Sequence, residues 1–445
     1  MLTADLDLSG GFRHWWSMAS AAPNHLLIVG AGASGLMAAR ELARAGKRVT
    51  IVEARDRCGG RIRPLPPEQF GYPAEGGAEF IHGAAPVTRA LLREARLSPS
   101  RLAGRGWTAE NGTLSRDEGP NPHARELHQA LTELQTDLPI AQFLAHYFSG
   151  PQYDELRDEI TGMVEGYDAA DPARASTFAL RDEWLGRGLH GQGRVAEGYG
   201  AMIAFLVAEC ASRGAAVHLG ADVTAIGERG GGIAVRCRDG AAFEADAAIL
   251  TVPLPILRGI ALPAAAREIV AATDEIGYGN VVKILLRFAT AWWADRNPDL
   301  SDLSFLFTSA TVPTWWTQHP AGHPVLTGWL GGPKADAVKR RSPNELVDMG
   351  LASLAEAFGL PRDDLTRHVV AAEAINWGDD PFARGAYSYA TPTTRDAQAA
   401  LRNARGPVLF SGEALYAGRD MGTVEAALAS GRDTAAMILS GMTEI

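Results

Sequence analysis

Apolar residues follow two rhythms along this chain. His25-Leu-Leu-Ile-Val-Gly30 is a short, nearly unbroken apolar run, the pattern of a strand buried on both faces of a parallel sheet. Beyond it the spacing turns helical through Leu36, Ala39 and Leu42, and Gly46 is placed to end that helix. A second apolar strand, Val49–Val52, ends at Glu53, which completes a strand–helix–strand unit. Residues 87–190 read as mostly helical with Pro and Gly breaks, and the polar, turn-rich stretch 104–122 reads as a surface excursion. Gly198–Gly200 precedes a helix over Ala201–Arg213. Extended segments follow at Ala216–Leu219 and Val223–Ile226, then an alternating hairpin at Ile233–Cys237 and Ala241–Glu244. Asp246–Pro253 is a buried strand stopped by proline. In the second half, Gly279–Phe288 is a strongly apolar strand interrupted by Lys283. Strands at Leu303–Thr308, Val325–Gly331 and Val369–Trp377, with a helix over Ser342–Phe358, complete a second sheet.

Composition narrows the class. A chain of 445 residues with 46% hydrophobic and 21% charged residues is a globular protein of two or three domains. With 42 basic against 52 acidic residues the formal charge is −10, which argues against nucleic acid as a partner. Cys58, Cys210 and Cys237 form no C-x-x-C pair, so neither a disulfide framework nor a zinc site is expected, and no metal is assigned. No window offers the roughly 18 unbroken apolar residues of a membrane span. Residues 1–24, with Asp5, Asp7 and the Trp15–Trp16 pair, lack the basic start and apolar run of a signal peptide and read as a leader. A cytoplasmic protein without a membrane partner is the default expectation.

The candidate chemistry begins between the first two strands. Gly30, Gly32 and Gly35 stand in the order G-A-G-A-S-G, with Ala33 and Ser34 opening the helix. Such glycines let backbone N–H groups approach a pyrophosphate, and the helix N-terminus adds partial positive charge. Glu53 can accept hydrogen bonds from ribose hydroxyls, so the unit reads as dinucleotide-binding. Ala54, Arg55, Arg57, Gly60 and Arg61 continue the pattern as E-A-R-D-R-C-G-G-R. Arg61 is assigned to the pyrophosphate. Arg55 and Arg57 suit equally a solvated surface pair. Residues 75–83 read E-G-G-A-E-F-I-H-G, where Gly76, Gly77 and Ala78 allow a flat ring to approach the backbone. Glu165-Gly-Tyr167-Asp168 offers acidic and aromatic side chains after a helical stretch, as packing or as part of a substrate site. A charge inside an apolar strand must find solvent, a partner or a cofactor, so Lys283 is either an edge lysine that snorkels out or a functional group.

These motifs resemble the flavin-containing amine oxidase superfamily from about residue 25 to 440. The carriers are the G-G-R extension, G-A-E-F-I-H-G, the Lys283 strand, Trp377-Gly-Asp-Asp-Pro with Arg384-Gly-Ala-Tyr-Ser-Tyr389, Phe410-Ser-Gly412-Glu413, and Thr423-Val424-Glu-Ala-Ala-Leu-Ala-Ser-Gly431. The resemblance implies an α/β (overall α+β) fold. A Rossmann-like FAD-binding domain would take residues 25–86, 191–262 and 378–445, and a discontinuous substrate domain of mixed sheet plus helices residues 87–190 and 263–377. It implies that Gly77, Ala78, Glu79 and Phe80 run beside the isoalloxazine, that Val223 contacts adenine through its backbone, and that Gly412 and Glu413 contact the ribityl chain or phosphate. It further implies that Thr423 and Val424 open a helix facing the flavin pyrimidine.

Lys283 would face the flavin N5 through a water, Tyr387 and Trp377 would form an aromatic wall, and His82 would stand at the mouth of the substrate site or serve structurally. Ala386 stands where monoamine oxidases link flavin through cysteine, which implies non-covalent FAD. Thr423 and His82-Gly83 look more like the polyamine oxidase branch, whereas Glu79 and Ala426 depart from it. The implied activity is oxidation of a small-molecule amine to an imine, with O2 as acceptor and H2O2 as product. Glu79 is expected to attract a distal ammonium. An L-amino-acid oxidase of the same fold, with Arg384 as a possible carboxylate partner, is the alternative, and a non-catalytic flavin-binding protein is a third reading. Homodimerisation stays open.

Overall fold

The computed structural model describes residues 23–110, 112–116, 119, 121–185, 192–296 and 298–441. The leader expected over residues 1–24 therefore lies outside the described residues except for its last two. Strand β1 (His25–Val29), helix α1 (Ala33–Arg44) and strand β2 (Arg48–Val52) form the expected unit. They sit in a five-stranded parallel sheet with strand order 408–410, 247–250, 25–29, 48–52, 216–218. Both faces of β1 and β2 are covered, which explains their continuous apolar runs. Leu26, Ile28, Val49 and Ile51 pack with α1, the helix Tyr199–Ser212 and the C-terminal helix Val424–Leu439. On the other face, Leu27, Val29 and Val52 pack on a three-stranded antiparallel sheet made by Val223–Arg229, Gly232–Cys237 and Ala242–Ala245. This is the Rossmann-like architecture expected from the sequence.

The second large sheet has seven strands in the order 369–376, 281–288, 325–331, 314–316, 303–308, 105–110, 113–116. Strand Val281–Phe288 lies inside it, antiparallel to both neighbours, so the edge position considered for Lys283 is excluded. Alternation along that strand sends Val282, Ile284, Leu286 and Phe288 into a core shared with the helix Pro343–Phe358. Val281 and Leu285 face the opposite way, toward Leu65, Phe70, Ile375 and Trp377. Lys283 shares that second face, which is where the segment from residue 65 to 79 passes. The helix begins at Pro343 because Ser342 and Glu345 form a reciprocal capping box.

The surface excursion expected at 104–122 is corrected. Arg105–Glu110 and Thr113–Arg116 are strands that extend the seven-stranded sheet, with Trp107 and Ala109 buried. Two apolar residues at alternate positions suffice to anchor the strand 105–110 next to the sheet's edge, but they are too few to stand out among its polar and glycine neighbours. Smaller shifts occur at ends: the helix expected from Ala201 starts at Tyr199, and the strand expected to reach Trp377 stops at Asn376.

The C-terminal helix crosses α1 at very close range. A Cβ on Gly431 would collide with the Ser34 carbonyl oxygen in the first turn of α1. Overpacking of this kind costs about 1–3 kcal/mol. Gly431→Ala is therefore expected to lower the urea midpoint of unfolding, and because the displaced turn is the one assigned to the cofactor, to weaken FAD retention as well. Unchanged stability in denaturant titration would show that the two helices can separate freely.

Candidate functional site

The carboxyl ends of the parallel strands converge on the first turn of α1. Gly30 has φ +107°, and a Cβ there would meet the Thr251 hydroxyl at 2.7 Å. A Cβ on Gly35 would collide with the Gly30 carbonyl oxygen, so that glycine is required by the turn itself. Gly32 differs, because no atom lies within 4 Å of where its Cβ would be. It is the N-cap of α1 and offers no capping side chain, so the N–H groups of Ala33 and Ser34 point into open space. Glu53, 6% exposed, accepts the Ala31 N–H at 2.7 Å on one oxygen and the Arg55 N–H at 2.9 Å on the other. Its remaining lone pairs are what a ribose can use. The chain leading to Val223 is tied to this acid, since Ala221 N–H donates to the Glu53 carbonyl at 2.8 Å and Gly220 N–H to that of Arg55 at 2.8 Å.

The G-G-R turn folds back on α1: Gly59 bridges Gly32, and Gly60 has φ +58°. Arg55 and Arg57 are not a solvated surface pair. The Arg55 guanidinium makes two hydrogen bonds to Asp380, at 3.0 and 2.6 Å, so it is committed to a protein partner rather than to a cofactor. Arg57 donates to the carbonyls of Cys58, Gly60 and Ile62. Ala54, between Glu53 and Arg55, is partly buried. Arg61 donates to the Ala386 carbonyl at 2.8 Å and to Glu413 at 2.7 Å.

Arg61, Thr251, Ser411, Gly412 and Glu413 line one cavity at the strand ends. The second Glu413 carboxylate oxygen is buried with no hydrogen-bond partner among the described residues. An orphan acceptor, an uncapped helix N-terminus, a cation and two glycines with room beside them, Gly32 and Gly412, fit the hydroxyls and pyrophosphate of FAD. Val424 begins the C-terminal helix. Thr423 caps it, its hydroxyl accepting the Ala426 N–H at 3.2 Å and donating to the Asp420 carbonyl at 2.6 Å. Thr423 is thus committed to the cap.

Residues 75–83 run from this groove into the second sheet. A Cβ on Gly77 would collide with the Arg61 carbonyl oxygen, so this glycine is demanded by the neighbouring chain whatever else approaches it. Ala78 N–H donates to the same carbonyl at 3.3 Å. Trp377, 3% exposed, donates to the Gly76 carbonyl at 3.2 Å and supports the segment from behind. That corrects its assignment as a substrate wall.

Lys283 is 0% exposed. Its ammonium lies 2.8 Å from Glu79 Oε2, 3.1 Å from the Gly77 carbonyl oxygen and 5.4 Å from the Trp316 ring centre. Glu79 Oε1 accepts from Arg194 Nε at 2.8 Å, Gln318 Nε2 at 3.0 Å and Trp316 Nε1 at 3.1 Å. Burial alone would raise the Glu79 pKa, but Lys283 and Arg194 hold it at about 2. Glu79 is therefore already saturated by cations, which corrects the expectation that it attracts an ammonium.

An aromatic group surrounds this pair. Phe80 and Trp316 lie 5.4 Å apart, Trp316 and Trp329 5.7 Å, and Trp329 is nearly parallel to Tyr387 at 6.5 Å. The Tyr387 hydroxyl donates to the Tyr167 carbonyl at 2.6 Å, and Trp329 Nε1 to the Gly166 carbonyl at 2.6 Å. His82 Nδ1 shares a hydrogen bond with the Tyr167 hydroxyl at 3.0 Å. Burial lowers the His82 pKa to about 4, so the imidazole is neutral at neutral pH.

Burial, and after it the nearby Asp168, Tyr167 and Glu183, push the Tyr387 phenol pKa upward. Burial and mutual repulsion raise the Asp168 pKa, and burial with Asp420 raises Glu183 to about 7. The sequence reading missed Arg194, Trp316, Gln318, Trp329 and Glu183. Trp329 was within reach, because it pairs directly across from Lys283 in the sheet.

A family model described as flavin containing amine oxidoreductase matches residues 33–439. Polyamine oxidase 5 of Oryza sativa subsp. japonica is 29% identical over 403 residues, covering 83% of this chain and 78% of that protein. Polyamine oxidase 2 of Arabidopsis thaliana is 28% identical over 430 residues, covering 87% and 83%. Among solved structures, cyclohexylamine oxidase from Brevibacterium oxydans IH-35A superposes with a TM-score of 0.77 at 21% identity, over 94% of this chain and 99% of that one. Putrescine oxidase bound to putrescine gives 0.74 at 24%, also over 94% and 99%. The cofactor is FAD.

Two outcomes are expected from this geometry. Glu53→Ala loses the ribose acceptor and the anchor of the Ala31 turn together, so FAD affinity should fall by roughly 10–100-fold, or about 1.4–2.8 kcal/mol. Fluorescence titration of the FAD-free protein checks this, and unchanged affinity would remove Glu53 from the site. His82 gives a pH signature. The unfolded chain binds its proton near 6.5, the folded chain only near 4. Its contribution to stability is complete above 6.5 and is lost as pH falls from there to about 4. The stability difference between wild type and His82→Gln should shrink across that window, and a constant difference would show that the imidazole is not held neutral.

Proposed function

The chain belongs to the flavin containing amine oxidoreductases, and from that premise we propose that it is an oxidase of amines that lack an α-carboxylate and carry a second positive charge. The single observation behind this reading is the distribution of charge around the aromatic group. Glu79 is neutralised by Lys283 and Arg194. The acids left beside Tyr167 and Tyr387 are Asp168 and Glu183, which have no cationic partner among the described residues. A distal ammonium entering there would offset the burial, and the repulsion between neighbouring acids, that raise both carboxyls. An α-carboxylate meets the opposite: Arg194 is taken by Glu79, and Arg384 is an exposed residue. The amino-acid oxidase reading is accordingly the weaker one.

Bound in the groove, FAD supplies the acceptor for the hydride equivalent lost from the carbon next to nitrogen. The chain's own work is positioning and protonation. Tyr387, Trp329 and Phe80 exclude water and orient the amine. Neutral His82 accepts a hydrogen bond from the substrate nitrogen, which must be unprotonated when its carbon is oxidised. Lys283 has three N–H donors and spends two on Glu79 and the Gly77 carbonyl, which leaves one for a water. The imine then hydrolyses to an aldehyde with release of ammonia or a smaller amine, O2 is the electron acceptor and H2O2 the product. Ala386 leaves the flavin non-covalently bound.

The test is anaerobic loss of flavin absorbance with a matched monoamine, diamine and α-amino acid. The diamine should give the highest kcat/KM. Asp168→Asn with Glu183→Gln should raise KM for the diamine by roughly tenfold, about 1.4 kcal/mol, and leave the monoamine within about twofold. Preference for the amino acid would overturn the reading.

A further inference from the structure

Glu79 occupies a position with an unusual number of donors. Four side chains converge on its two oxygens, from three separate stretches of chain: Arg194, Trp316 and Gln318 on Oε1, Lys283 on Oε2. The donors on Oε1 fix the orientation of the carboxylate, because an indole, an amide and a guanidinium all approach the same oxygen. Arg194 is itself anchored, donating also to the Thr317 carbonyl at 3.1 Å and lying 4.7 Å over the Phe80 ring. What remains free to act is Oε2, which among the described residues faces only the Lys283 ammonium. Without that anion, Lys283 would have one carbonyl, that of Gly77, and the face of Trp316 to hold it inside a strand whose other members, Arg287 apart, are apolar.

We propose that Glu79 is a positioning residue: its carboxylate, held by Arg194, Trp316 and Gln318, fixes the Lys283 ammonium beside residues 77–79 where the flavin ring is expected. Substrate never touches it. The assignment rests on the proposed role of Lys283 at the ring, and stability of the FAD-free protein separates the two ideas. Buried pairs are strongly coupled, because removing one partner strands the other.

In thermal unfolding of the FAD-free protein, Glu79→Gln and Lys283→Met should each lower the midpoint, and the double variant should fall no further than the worse single. In the FAD-loaded enzyme, flavin reduction by amine and flavin reoxidation by O2 should be timed separately in each variant. Lys283→Met should slow one of the two by roughly tenfold or more. Glu79→Gln should slow that same half-reaction with KM unchanged, the double variant should be no slower than Lys283→Met, and Glu79→Asp should recover part of the rate.

A raised KM at constant kcat in Glu79→Gln would make Glu79 a substrate ligand and overturn the proposal. Multiplying losses in the double variant, or a lowered midpoint with wild-type rates, would overturn it equally. If Lys283→Met keeps both rates, the role of Lys283 fails and the proposal fails with it, even where the stability coupling survives. Should Glu79→Gln not fold, Trp316→Phe keeps the ring and removes one donor from Oε1. It should then slow the same half-reaction to a smaller extent, and wild-type behaviour there would overturn the proposal.

Discussion

An ammonium in the middle of a β-sheet is stable only when its charge is met within hydrogen-bonding distance, and the Lys283–Glu79 pair ties the segment after the Arg61 turn to the seven-stranded sheet. Lys283 belongs to the interior of the seven-stranded sheet. Glu79 belongs to the segment that leaves the Arg61 turn beside the parallel sheet. The contact is 2.8 Å long and nearly free of solvent at both ends. Taking either partner away leaves an uncompensated buried charge, a loss of about 3–5 kcal/mol in comparable cases. Such a pair adds little net stability over an apolar substitute, so its retention inside a sheet points to a requirement for the charge itself.

The two ends of the groove solve different problems with different groups. At the nucleotide end the working atoms are backbone: the uncapped N–H groups of α1, glycines with room beside them, and Glu53 bound to the N–H of Ala31. These are fixed by φ/ψ and by helix packing, so they are the same whatever side chains surround them. At the ring end the working groups are side chains that approach from distant parts of the chain. Arg194, Lys283, Trp316 and Gln318 span 125 residues of sequence and meet at a single carboxylate.

That difference explains what could be read in advance. The strand–helix–strand unit was legible because its signal is local: an apolar run, glycines at fixed spacing, an acid at the second strand's end. The hairpin at 233–245 and four of the seven strands of the second sheet were legible for the same reason, whereas 105–110, 113–116 and 314–316 were not. Lys283 stood out as a charge in an apolar run, yet its partner did not, since nothing in G-G-A-E-F-I-H-G says that Glu79 meets cations 115 and 204 residues away. Read locally, Glu79 is a free acid available to substrate. Read in the fold, it is consumed. Trp377 misled in the opposite direction, because an aromatic beside a flavin motif reads as a wall, whereas its indole is used to hold Gly76. Arg55 likewise reads as surface or cofactor until Asp380, 325 residues on, takes it up.

The formal charge of −10 says little about specificity once the local partners are counted. Acids that already have cations contribute almost no field at the reaction centre, however many there are. What matters is the residue of charge after pairing, and beside the aromatic group that residue is Asp168 and Glu183. Burial without a counter-cation makes these two resist ionisation together. A bound cation would let both ionise. On the proposed function, such a site discriminates by what it lacks: among the described residues it has no unpaired cation beside the aromatic group to offer a carboxylate, and it has a pair of acids that a second ammonium would help to ionise. The aromatic surfaces of Tyr387 and Trp329 add a face to which a protonated amine is attracted but a carboxylate is not. On the proposed function, selectivity for cationic amines rests on saturation of Glu79 as much as on the acids themselves, because Lys283 or Arg194 left without that carboxylate would be a ready partner for an α-carboxylate.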